Sequence, residues 1–159
     1  MFMRKSLLFI VALFVLLTAC GGRAVSSFVE DFNQTARKYD AITLDSDEFG
    51  EIEDEDGEKW QTLFSSKEYE LDVMYEGNDI KAYFITVESD TKSINKDGNG
   101  YNAVLTLADT LGLNIKDLES GMQKSFDEEQ YVYEDDNYEV RIFAIDVLRA
   151  TMMITIEEL

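Results

Sequence analysis

The chain has 159 residues, of which 33 are acidic and 14 basic, and it contains one cysteine, no histidine and no proline. The missing histidine excludes Ser-His-Asp triads and histidine metal sites, and a single cysteine cannot form an internal disulfide. A chain with this negative charge repels phosphates, and nucleic acid is therefore not an expected partner. A basic protein or a cationic ligand would be attracted.

The first residues have the charge and length of an export signal. Arg4 and Lys5 precede an unbroken apolar run from Leu7 to Leu17. This run is shorter than the roughly 20 apolar residues that a membrane-spanning helix needs, and it matches the hydrophobic region of a signal peptide. Residues 1–19 are therefore predicted to be a signal peptide.

The end of that run, Leu17-Thr18-Ala19-Cys20, resembles the lipobox of bacterial lipoproteins. The resemblance implies cleavage before Cys20, attachment of a lipid such as palmitate to the Cys20 thiol, and a lipid-anchored position on the extracytoplasmic face of the cell membrane. The alternatives are an ordinary secretory signal that ends near a cysteine, or the hydrophobic start of a soluble domain. The rest of the chain resembles small uncharacterised lipoproteins of Gram-positive bacteria, which implies a location but no activity.

The expected domain organisation follows from this reading. Residues 20–26 form the lipidated N-terminus and a short tether, and residues 27–159 form a single acidic domain. Arg4 and Lys5 belong to the signal, so 12 basic residues face 33 acidic ones after cleavage, a net charge of −21. The domain is large enough to bury a core of its own.

The first half of this domain is predicted to be a helix followed by strands. Apolar residues at helical spacing predict a helix over 26–40, with Ser26 or Ser27 as N-cap. Residues 42–44 could form a short strand, residues 45–59 an acidic loop or a hairpin turning at Asp56-Gly57, and residues 60–64 a strand. Residues 68–76 alternate as a strand with one wet face, whereas residues 80–88 are apolar on both sides, which predicts a strand covered on both faces.

The second half is predicted to contain two helices and then strands. A helix over 101–111 ends at Gly112, and Asn114 caps a second helix, which Gly121 should shorten or bend. Strands follow over 131–134, 138–146 and 150–156. The predicted fold class is α+β, with helices packed on an antiparallel sheet in the order one helix, three to five strands, two helices and three strands.

The most specific local motif is Asn95-Lys96-Asp97-Gly98-Asn99-Gly100. It matches the first six positions of a calcium-binding loop, but position 12 is Thr106 where a bidentate glutamate is required. The alternative is a polar turn that leads into a helix. The acidic stretch that begins at Asp45 and Asp47 is a weaker candidate for holding cations, and a solvated run of charge explains it equally well.

These features favour a membrane-anchored, extracytoplasmic binding or interaction module that is not an enzyme. Lipid attachment at Cys20 is the one site residue assigned, and no catalytic residue, cofactor or metal ligand is expected. The alternative function is a carboxylate-based enzyme or a calcium-dependent binding domain, in which acids from residues 45–58 and 95–100 would converge.

Overall fold

A computed structural model describes residues 23–128 and 130–159 of the chain. The lipobox and Cys20 lie outside the described residues. The elements are β1 (Arg23–Ala24), α1 (Val25–Ala36), β2 (Glu53–Glu55), β3 (Glu58–Ser65), β4 (Tyr69–Glu76), β5 (Asp79–Glu88), α2 (Asn99–Leu111), α3 (Ile115–Glu128), β6 (Gln130–Glu134), β7 (Tyr138–Ile145) and β8 (Thr151–Glu158).

The strands form one antiparallel sheet in the order β2-β3-β4-β5-β8-β7-β6, and β1 pairs beside the start of β5. Two meanders, β3-β4-β5 and β6-β7-β8, meet where β5 pairs with β8 at the centre. The fold is therefore of the α+β class, an antiparallel sheet with helices. The short strand β1 is absent from the predicted order, and β1 and the start of α1 lie within the range 20–26 assigned to the tether.

All three helices pack on the same face of the sheet. Phe28 of α1 places its ring 4.9 Å from the ring of Tyr83 on β5. The start of α2 lies against Val87, and α3 lies against Ile142 of β7. These contacts belong to one continuous hydrophobic core, in which helix residues alternate with every second strand residue. Within the described part of the chain, no helix has the length and apolarity to cross a membrane.

The opposite side of the sheet, here called the outer face, stays open to solvent. Val132, Ile145 and Met153 are 45%, 42% and 42% exposed there. The prediction that residues 80–88 form a strand covered on both faces is wrong: Phe84 of β5 is half-buried on the outer face, where its ring centroid lies 4.6 Å from that of Trp60. The Trp60 ring partly shields Phe84. No further layer of described residues covers this face.

Helix α1 differs from its prediction at both ends. It begins one residue before Ser26, and the residue at the N-cap, Ala24, makes no side-chain cap. Ser27 instead donates its hydroxyl to the Ala24 carbonyl at 3.0 Å. The helix ends at Ala36, four residues before the predicted end, and Asp40 has a left-handed φ of 52°.

The possible strand over residues 42–44 does not form, because a side chain takes the place of a neighbouring strand. The Asn33 amide donates to the Leu44 carbonyl at 2.8 Å and accepts from the Leu44 N–H at 2.7 Å. Both backbone groups of Leu44 are thus satisfied by helix α1. Further along, the hairpin alternative is confirmed: β2 and β3 join through Asp56 and Gly57, whose φ angles of 56° and 93° suit a tight hairpin turn.

Gly121 does not shorten α3, which runs unbroken for 14 residues. The reason for a glycine here is the closeness of the sheet. A Cβ atom at position 121 would lie 2.8 Å from Tyr131 Cδ1 and 2.9 Å from Ile142 Cδ1, both too short for normal contact. Glycine has a lower helix propensity than alanine, but at this position it allows α3 to pack directly on β6 and β7.

We therefore expect Gly121→Ala to destabilise the domain although alanine is the better helix former. Overpacking should lower the free energy of unfolding by about 1–3 kcal/mol, measured by urea denaturation. Ser120→Ala, on the exposed side of the same helix, is the control and should change it by less than about 0.5 kcal/mol. A stabilising Gly121→Ala would contradict this packing.

Candidate functional site

A pocket of about 790 Å³ lies where the loop after β5 meets the start of α2. Its lining is mostly polar and carries both signs of charge: Lys67, Glu68, Glu88, Ser89, Asp90, Thr91, Ser93, Ile94, Asn95, Lys96, Asp97, Gly98, Asn99 and Arg149. The motif that resembles a calcium loop forms one wall. The pocket therefore contains the residues that the sequence singled out, together with others it did not indicate.

Glu68 joins the two sides of this pocket. Its carboxylate accepts from the Asn99 backbone N–H at 3.0 Å and from the Asn99 side-chain amide at 3.2 Å. Asn99 is the first residue of α2, so a negative charge sits at the positive end of that helix. The Glu68 backbone carbonyl also accepts from the Glu88 N–H at 2.8 Å. Glu68 thus fixes the start of α2 on the end of the sheet.

The loop residues of the calcium-like motif bond locally. The Asn95 side-chain oxygen accepts from the Asp97 N–H at 3.1 Å, and the Asn95 carbonyl accepts from the Gly98 N–H at 3.1 Å. Asn99, the third side chain of the motif, uses its amide to donate to Glu68. These bonds are those of a polar turn leading into a helix, which was the alternative interpretation of the motif.

The acids of the two candidate segments, residues 45–58 and 95–100, take part in local turns. Among residues 23–128 and 130–159, no three carboxylates lie together as a group that could hold a metal ion. In the acidic stretch, Asp45 caps a short 3-10 turn by accepting from the Asp47 N–H at 3.0 Å, and Asp54 accepts from the Gly57 N–H at 3.2 Å. These carboxylates stabilise turns.

Two of the three cations of the pocket, Lys67 and Arg149, are residues that sequence reasoning missed. Arg149 comes from the loop before β8 and lies 3.4 Å from the Asp90 carboxylate across the opening. Lys67 precedes β4, and Lys96 lies in the motif itself. They meet because three separate connections lie at the same end of the central strands β4, β5 and β8, and no local pattern in the sequence indicates this. Chemically, the pocket offers ion pairing and hydrogen bonding to a small polar ligand.

Titratable groups with shifted pKa values lie outside the pocket. Burial, aided by the carboxylate of Glu119 to which its hydroxyl donates, raises the pKa of Tyr101. Burial also raises the pKa of Tyr75 to about 12. Such hydroxyls remain protonated at neutral pH, so they donate hydrogen bonds and do not act as bases.

Asp72, half-buried on the outer face, has a raised pKa for the same reason. Burial is the main cause, a hydrogen bond from the Thr62 hydroxyl at 2.6 Å opposes it, and the charge of Glu70 adds to it. A raised pKa in the folded state means that ionising Asp72 costs stability. That cost is present at neutral pH and disappears below the unfolded-state value of about 3.9.

We expect Asp72→Asn to raise the urea midpoint at pH 7 and to give no gain near pH 3.5, since asparagine can still accept from Thr62 but carries no charge. Asp136→Asn, at an exposed turn, changes the net charge equally and serves as the control. An Asp72→Asn gain of the same size at both pH values would show that ionisation of Asp72 is not the cause.

Removing the carboxylate that caps α2 should loosen the pocket. We expect Glu68→Ala to lower the free energy of unfolding by about 1 kcal/mol and to speed amide exchange over residues 95–102. The control Glu76→Ala, on an exposed residue at the far end of β4, should leave that exchange unchanged. Equal exchange in both variants would mean that Glu68 does not hold the loop.

Comparison of the chain with protein-family models, with curated proteins and with solved structures finds no match.

Proposed function

We propose that this chain is a lipoprotein held at the extracytoplasmic face of the cell membrane by lipid on Cys20. Its acidic domain would serve as a non-catalytic binding module. The observation that carries the proposal is the order of features at the N-terminus: two basic residues, an apolar run, and Leu17-Thr18-Ala19 before the sole cysteine of the chain.

The start of the folded domain is compatible with such an anchor. Strand β1 begins at Arg23, three positions after Cys20. A chain extends by at most about 3.6 Å per residue, so an anchor at Cys20 would hold the domain about 11 Å or less from its lipid. Two acyl chains suffice for stable residence at a membrane, whereas one chain binds reversibly.

A binding role is supported by the chemistry that the chain possesses. The sequence contains no histidine, and its single cysteine would be occupied by lipid. Four polar residues of the pocket, Glu68, Asn95, Asn99 and Asp90, take part in bonds that shape it. The strongly negative surface of the domain attracts basic proteins and cationic ligands with a strength that falls as salt rises.

The anchor is tested by intact mass spectrometry of the protein extracted from its native membranes. We expect a chain that begins at Cys20 and carries a diacylglyceryl group. Cys20→Ser should remain uncleaved or leave the membrane fraction, whereas the control Thr18→Ser, which keeps a small residue in the lipobox, should be processed as the parent is. An unmodified Cys20 thiol in the membrane-extracted parent would overturn the proposal.

A further inference from the structure

The outer face combines an apolar band with a surrounding set of acids. Strand register places seven large apolar side chains on this face, spread over strands from β3 to β6: Trp60, Met74, Phe84, Val132, Phe143, Ile145 and Met153. Three of these, Met74, Phe84 and Met153, lie on the three middle strands of the sheet. Val132, Ile145 and Met153 are exposed, and exposed apolar side chains that share one face of a sheet indicate an interaction surface.

The charges on the same face are almost all negative. Register places at least eight carboxylates there: Glu53, Glu55, Glu58, Glu70, Asp72, Glu134, Glu139 and Glu157. Arg141 lies among them and is already neutralised, because its guanidinium pairs with Glu139 and lies 3.6 Å from Glu157. An occupant of this face must therefore bring apolar residues to the band and positive charge to the acids around it.

Other occupants fit poorly. A second copy of the chain would bring the same carboxylates against these, and like charges across an interface oppose association. Anionic lipid headgroups would be repelled for the same reason. Once the leader is removed before Cys20, the residues between Cys20 and β1 would number too few to cover the sheet.

We propose that the outer face is a docking surface for a basic amphipathic helix of a partner protein. A helix lying on the sheet would cover the apolar band with its apolar stripe and direct its lysines or arginines to the carboxylates. This inference rests on the proposed role as a binding module and on removal of the leader, and it does not require lipid on Cys20.

The single tryptophan makes the proposal testable, because Trp60 lies on the outer face. The described residues of the hydrophobic core all lie after residue 24, so the test protein is the chain from residue 20 with Cys20→Ser, and its folding is checked by circular dichroism. The probe is an 18-residue amphipathic helix of leucine and lysine. We expect saturable binding accompanied by a change in Trp60 emission, and no binding of the same peptide with glutamate in place of lysine.

Matched variants separate this face from general charge attraction. Val132→Lys/Met153→Lys adds two positive charges to the outer face and should weaken binding at least about tenfold. Ser120→Lys/Gln123→Lys adds the same charge on the exposed side of α3 and should weaken it by less than about threefold. Two equal losses would overturn the proposal, because binding would then follow net charge alone.

Two further outcomes would also overturn it: binding of the lysine peptide without any response of Trp60, or binding of phosphatidylglycerol vesicles with a Trp60 response, which would assign the face to lipid. An unlipidated Cys20 in the native protein would refute the anchor and leave this result unaffected, so the two proposals fail separately.

Discussion

The structure depends on burying one face of an antiparallel sheet under three helices. Every second residue of the central strands is closed off from water by α1, α2 and α3, and the close approach at Gly121 lets α3 lie directly on β6 and β7. Because all the helices are used on one side, the other side has no layer of described residues to cover it. The open outer face is thus a consequence of how the core is built.

The pairing of β5 with β8 gives the domain its second organising feature. Two meanders end in the middle of the sheet, each preceded in sequence by helical structure. Connections from both halves consequently lie at one end of the central strands, where the loop after β5, the start of α2 and the loop before β8 surround the polar pocket. The pocket and the outer face are separate surfaces with different chemistry: the pocket is lined by charges of both signs, and the outer face combines apolar side chains with carboxylates.

Sequence periodicity predicted much of this fold because buried residues recur with the spacing of their element. Met152, Ile154 and Ile156 alternate as a strand buried on one side, and Gly112 and Asn114 mark the end of α2 and the start of α3 as expected.

Prediction was wrong where a residue distant in sequence decided the local structure. The Asn33 side chain bonds both backbone groups of Leu44, which would otherwise need a neighbouring strand. A glycine is required at position 121 because the helix lies directly on the sheet there. The open outer face could not be predicted from the sequence. Apolar residues on both sides of a strand indicate burial of both faces as readily as they indicate an open interaction surface. The pocket could be anticipated only through its Asn95 loop, since Arg149 and Glu68 reach it from remote parts of the chain.

We propose, as the central claim, that this domain binds a basic partner protein through the outer face of its sheet while lipid holds it at the extracytoplasmic face of the cell membrane. Site-specific photocrosslinking in intact cells tests it most directly, with the photoreactive residue placed at Met153 on the outer face or at Gln123 on the exposed side of α3. The account predicts a crosslink at position 153 to a lysine- or arginine-rich segment of another protein, lost at high salt and absent at position 123. Crosslinks formed only at position 123, or equally at both positions, would contradict it.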